Sequence, residues 1–246
     1  MMNKVLYEEL NPDEFRARIK SCPVAYLPLG TLEWHGEHMP LGADGIQSQG
    51  FFVKLAEQVG GIVLPKLFLG PDRRAGDLFG MDTWVGNASS GGETRETREP
   101  AQLDGSAYWV SDELFKAMIE AILTQLKRAG FRLVVAHGHG PSTLAFMKRT
   151  DEWEKEFDLR LFHCFGSPWD GEGKGIQVDH GAANETSLTM ALRPELVDLN
   201  KLSPASWPVA VGGKDPRVFA SQELGDEIIQ LNVQRMSELI RGALGK

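Results

Sequence analysis

The segment Leu27 to Gly45, LPLGTLEWHGEHMPLGADG, joins the apolar run Ala25 to Leu29 to a polar cluster, and no other stretch constrains the fold as strongly. A short apolar run of this kind reads as a strand buried on both faces. The cluster must then sit at that strand's carboxyl end. Glu33 and His35, spaced i and i+2, project to one side of an extended segment and can enter a single small site. Asp44 has to fold back to reach them, and Gly36, Pro40, Gly42 and Gly45 supply the turn chemistry for that return. His38 lies within reach of the same place. Carboxylates and imidazoles gathered this way suit a metal ion; the plainer reading is a polar loop that holds two histidines.

Two further clusters bear on that choice. Phe131 to Ala136 reads as a second buried strand, followed by His137 and His139 at i and i+2, so that one can enter a site while the other supports it. Gly138 and Gly140 permit a tight turn there. In VDHGAANETS, Asp179, His180 and Glu185 lead into a helix predicted from Glu185 to Leu192, with Asn184 as its expected cap. Taken singly, each cluster also fits a satisfied core histidine or an ordinary cap. Together they argue for one shared site.

Between the clusters, strand-like and helical periods alternate. Ala25 to Leu29, Ile62 to Leu69, Phe131 to Ala136 and Leu159 to Phe165 read as strands; Gly45 to Val59, Leu114 to Ala129, Thr143 to Phe157 and Ser221 to Leu244 read as helices. This predicts an α/β fold, a three-layer open sheet, mainly parallel, with helices on both faces, in one domain over residues 1–246. The metal candidates then fall at the carboxyl ends of strands, where open α/β sheets place their sites. Residues 70–110 are too long for an ordinary connection and read as a substrate or subunit-contact loop. Residues 203–217, with three prolines, read as an extended link before the last helix.

A net charge of -8 and a pI near 5.3 argue against nucleic acid and anionic membranes as partners, since both select basic surface. No apolar run approaches the roughly eighteen residues of a membrane span. The first residues carry acidic side chains and no signal-like apolar core, so the expectation is a cytoplasmic protein. Cys22 and Cys164 form no metal or redox spacing and are expected to be reduced and buried.

The residues EWHGEHMPLGAD resemble the E-x-H-G-x-H-L-P-x-x-x-D signature of the creatininase family of metal-dependent amidohydrolases, with matching spacing at Glu33, His35, His38 and Asp44. Gly138 to Gly140 resemble that family's G-H-G-G-N, and HGAANETS resembles its H-A-G-x-x-E-T-S. The three segments keep the family's order, and the resemblance spans roughly residues 27–199.

What the resemblance implies is a two-metal site. Glu33, Asp44 and His139 would hold one ion, and His35 with a bridging Asp44 the other. The family's further glutamate falls on Pro141, which cannot ligate, so Glu185 is the candidate for the missing carboxylate. His180 would pass a proton to the leaving nitrogen, with Asp179 orienting its ring. The expected cofactors are two divalent ions, zinc first and manganese or iron as the alternatives. Ions about 3.5 to 4 Å apart would share a hydroxide that attacks an amide carbonyl. The implied protein is a hydrolase of a small cyclic or linear amide, assembled as a homo-oligomer, a hexamer by resemblance.

Departures bear on the substrate. His137, Pro141 and Ser142 differ from the family pattern, and its H-x-x-F-P-G-T signature has no counterpart beyond a possible remnant at Leu103 to Ser106. These favour a substrate other than creatinine. Two other readings stay open, a metal-dependent formamide or lactone hydrolase and a non-catalytic metal-stabilised binding protein.

Overall fold

Six consecutive residues, VAYLPL, are buried and form the strand on which the molecule is built. The computed structural model describes residues 4–71, 83–85, 94–95, 99–101 and 103–245. In chain order the elements are α1 (Pro12–Ser21), β1 (Val24–Leu29), α2 (Ala43–Val59), β2 (Ile62–Val63), the short strands β3 (Thr83–Val85), β4 (Thr94–Arg95) and β5 (Glu99–Ala101), α3 (Asp112–Ala129), β6 (Leu133–Gly138), α4 (Gly140–Met147), α5 (Thr150–Phe157), β7 (Arg160–Phe162), α6 (Ala183–Leu192), β8 (Gly213–Lys214), α7 (Pro216–Phe219) and α8 (Gln222–Leu244).

The main sheet has the order β2-β1-β6-β7, and every pairing in it is parallel. Alternate residues of the strands serve two cores. Val24, Tyr26, Leu133 and Val135 face α2, α6 and α8, meeting Phe51, Phe52, Leu55, Leu188, Ile228, Met236 and Ile240. Ala25, Leu27, Leu29, Val134 and Ala136 face the opposite layer, meeting Phe115, Ile119 and Leu123 of α3 with Phe146 and Trp153 of α4 and α5. Each such large apolar side chain stabilises the fold by about 1.5 to 3 kcal/mol on burial. The expected α/β architecture, with helices on both faces of a parallel sheet, is the one observed. On the first face α6 and α8 approach so closely at Gly225 that a Cβ there would stand 2.0 Å from the Ser187 carbonyl.

Elements depart from expectation where proline acts. The strand expected over 62–69 pairs only at Ile62 and Val63, because Pro65 cannot donate to the ladder. The chain still follows β1, with Leu67 N donating to Pro28 O at 2.9 Å. Helix Thr143 to Phe157 is two helices. The first starts early, at Gly140, because Pro141 fits a helix's first turn, where no amide partner is needed. α3 meets expectation, with Ser111 accepting from Leu114 N and Gly130 closing it in the left-handed conformation.

β3 pairs antiparallel with β5, and β4 with β8. Most of the remaining 72–102 stretch, expected to contact substrate or subunits, lies outside the described residues. Both cysteines are free and buried. No described helix is long and apolar enough to cross a membrane.

Candidate metal centre

From β1 the chain runs out to β2 on one side of the sheet, and from β6 to β7 on the other. The carboxyl ends of β1 and β6 therefore flank the point at which the winding reverses, the place where doubly wound sheets open a crevice. Glu33 and His35 follow β1, and His139 follows β6. Asp44 and Glu185 occupy the first turns of α2 and α6, where the helix dipole favours a carboxylate. All five side chains are buried, His35 completely and Glu33 to 4% exposure.

Asp44 stands at the centre. Its Oδ1 lies 3.4 Å from His35 Nε2, and its Oδ2 lies 3.4 Å from His139 Nδ1. Glu33 Oε1 is 3.1 Å from His139 Nδ1 and 3.9 Å from His35 Nε2, and Glu185 Oε2 is 3.4 Å from His35 Nε2. Three overlapping groups have donor atoms within 4.8 Å of one another: Glu33, Asp44 and His139; His35, Asp44 and Glu185; Glu33, His35 and His180. The structure thus brings together Glu33, His35, Asp44, His139, Glu185 and His180.

The far edges of the imidazoles are fixed by backbone. His139 Nε2–H donates to Pro71 O at 3.0 Å, which turns Nδ1 toward the carboxylates, and His35 Nδ1 lies 3.3 Å from Glu33 O. Gly181 does the same for Glu185, its N–H donating to Oε2 at 2.7 Å. Gly181 has φ +59, and a Cβ there would fall 2.7 Å from the His35 carbonyl carbon, so the turn needs glycine.

Burial works against charge throughout the centre, and neighbours decide each outcome. It raises Glu33 and sends Glu185 well above the ordinary carboxylate range. For Asp44 burial is outweighed by His35 and His139, which hold it well below that range. Burial would depress His35, but Asp44 and Glu185 lift it to about 10; His139, beside Glu33 and Asp44, is raised well above its usual value. Asp44, held ionised, thus draws positive charge onto two imidazoles. His35 Nε2 and Asp44 Oδ2, both buried and aimed inward, have no hydrogen-bond partner. That donor set, rich in oxygen and imidazole and without thiolate, fits a divalent cation in the imidazolium protons' stead.

His180 stands at the edge of the centre, partly exposed, its ring centroid 4.4 Å from that of His35. Backbone bonds to Gly212 in both directions hold its position. The carboxylate of the neighbouring Asp179 caps α6, accepting from Asn184 N at 2.7 Å and Glu185 N at 3.1 Å. Asn184, the expected cap, lies inside the helix and donates to Gly173 O and Gly175 O. Burial lifts Asp179 to about 6 against those amide bonds.

His38 and His137 are supports. His38 Nε2 meets Thr186 Oγ1 at 2.8 Å, and His137 Nε2 donates to Ile176 O at 3.0 Å. Burial pushes both down to about 4, which leaves them neutral. Leu103 to Ser106 is tied to the segment between Glu33 and His35 by Trp34 Nε1, which donates to Asp104 O at 2.9 Å. Sequence reasoning missed Pro71, Gln47 and Gln177. Only Gln47, one helical turn beyond Asp44, carried a signal in its spacing.

The chain matches the family model described as creatinine amidohydrolase over residues 8–240. It is 28% identical to the creatinine amidohydrolase of Pseudomonas putida, over 98% of each chain. Among solved structures it resembles a manganese creatininase and a zinc–zinc variant of creatininase, each at 23% identity, TM-score 0.72 and 98% coverage of both chains. A fold, a site at the winding reversal and a full-length family match converge: the chain belongs to the creatininase family of hydrolases.

Proposed function

We propose that this enzyme is a metal-dependent amidohydrolase that cleaves the C–N bond of a small cyclic or linear amide. The observation that carries the reading is Asp44, whose two oxygens face two different imidazoles at 3.4 Å each. Glu33, Asp44 and His139 would hold one divalent ion, and His35, Asp44 and Glu185 the second, with Asp44 shared. Ions held there supply Lewis acidity and an activated water at neutral pH. The protein's own groups do the rest. Buried walls keep bulk water from the carboxylates, Pro71 and Gly181 fix ligand orientation, and Asp179 anchors the turn that carries His180. His180, at the open edge, transfers a proton to the leaving nitrogen.

Zinc or manganese is the proposed metal, in keeping with the forms of the structural relatives. The curated relative acts on creatinine by its name. Pro141 and Ser142 at the start of α4 alter the wall beside His139, and an amide other than creatinine is the proposed substrate. We take residues 1–246 as one domain of a cytoplasmic homo-oligomer, a hexamer as in the family's resemblance.

Elemental analysis of wild type and Asp44→Ala, followed by a panel of cyclic amides, linear amides, formamides and lactones, tests the proposal. One to two divalent ions per wild-type chain, fewer in the variant, and turnover confined to amides are the expected results. Equal metal in both proteins refutes the shared role of Asp44, and turnover of lactones alone refutes the amide assignment.

A further inference from the structure

Gln177 is one of few described residues other than glycine with positive φ, at +53, and it is buried. A side chain with a Cβ rarely adopts this backbone conformation, so its surroundings must enforce it. They do so from both flanks. The carbonyl of Ile176 accepts from His137 Nε2 on β6 at 3.0 Å, and the amide of Val178 donates to Asn184 Oδ1 on α6 at 3.3 Å.

The clamped residue points at Asp44. Its Nε2 donates to Asp44 O at 3.2 Å and approaches Asp44 Oδ1 at 3.4 Å. Two acceptor oxygens on that side dictate which end of the amide faces them. A mere packing residue would not need an amide, since Oε1 is buried without a partner. Gln47 of α2 donates in turn to the carbonyl of Glu185 at 3.2 Å, so α2 is tied to α6 as well as to the turn that carries Gln177.

We propose that Gln177 is a positioning residue that fixes the rotamer of Asp44, leaving Oδ1 toward His35 and Oδ2 toward His139. The inference rests on the reading of Asp44 as a shared metal ligand. His137 and Asn184 act one step further out, holding the strained turn that aims the amide.

The test measures retention of manganese and zinc by purified protein against a chelator, together with melting of the metal-free protein, for wild type, Gln177→Met and Gln177→Gly. Met keeps the volume and loses the donor; Gly loses the donor and removes the backbone strain. Loss of a partner that orients a ligand weakens metal binding about 10- to 100-fold. That loss is expected in both variants, out of step with their melting temperatures. Wild-type affinity in Gln177→Met overturns the proposal. So does weak binding in Met that is restored in Gly, which marks a packing role. A wild-type protein that retains no divalent ion overturns the metal-site reading itself, and this inference with it, a result distinct from equal binding by all three.

Discussion

Replacing Glu185 by glutamine separates a ligand from a helix-start residue. Its Oε2 accepts from Gly181 N at 2.7 Å and lies 3.4 Å from His35 Nε2, buried to 3% exposure. Without metal, burial drives this carboxyl well above its ordinary range, so a neutral amide of the same shape should change stability by no more than about 1 kcal/mol. With metal the cost is of another kind. An ion at 100 times its Kd stabilises the native state by about 2.7 kcal/mol. For 246 residues at about 2.1 cal/mol/K each, the unfolding entropy is about 0.5 kcal/mol/K, so that stabilisation raises Tm by about 5 °C. If loss of the carboxylate weakens binding about 100-fold, the same metal concentration yields about 0.4 kcal/mol, or about 1 °C. The assay is thermal melting of chelator-treated wild type and Glu185→Gln, titrated with manganese or zinc. Closely similar Tm values without metal and a shift reduced from about 5 to about 1 °C are expected. Equal shifts in both proteins would refute the ligand role.

His180→Ala should keep near wild-type metal content while losing about 10² to 10⁴ in turnover, and less for a substrate with a good leaving group; an emptied site or an intact amide rate contradicts this. The metal-free protein should lose stability as pH rises. His35 binds its proton more tightly folded than unfolded, so its contribution is complete below about pH 6.5 and is lost as pH climbs through about 10. Glu185, also raised, holds a proton that the unfolded chain releases, and this disfavours the folded state in the same direction. Asp44 acts in reverse, its contribution fading only in acid as pH falls through its lowered value. A Tm for metal-free protein that stays level or rises from pH 6 to 10 would disprove this account, as would a profile that bound metal leaves unchanged.

The centre was legible because its members sit in short sequence windows with fixed geometry. An i, i+2 pair after a strand and a carboxylate in a helix's first turn need no long-range information to be nominated. The sheet was legible for a similar reason, since β1 and β6 are runs that no water-facing element would tolerate. Some supports were not. Pro71 and Gln177 act through backbone carbonyls on distant segments, and a carbonyl leaves no mark in a sequence. The cap of α6 was misplaced because Asn184 is a good capping residue by type, whereas Asp179 reaches in from an extended approach to satisfy the same amides. Pro141 was read for what it cannot ligate, and its effect on local structure, an earlier helix start, came only with the fold.

The close seat of Gly225 of α8 against Ser187 of α6 bears on when the centre can come into being. Ser221 N also donates to Ser187 Oγ at 3.0 Å, so α6 is braced by a segment translated after every one of the nominated ligands. A nascent chain ending before α8 already carries Glu33, His35, Asp44, His139 and Glu185. It lacks the surface that seats α6 on the sheet, and with it the fixed place of Glu185 opposite His35. The seat of Glu185 opposite His35 thus depends on α8 as well as on the segments that carry the other four side chains.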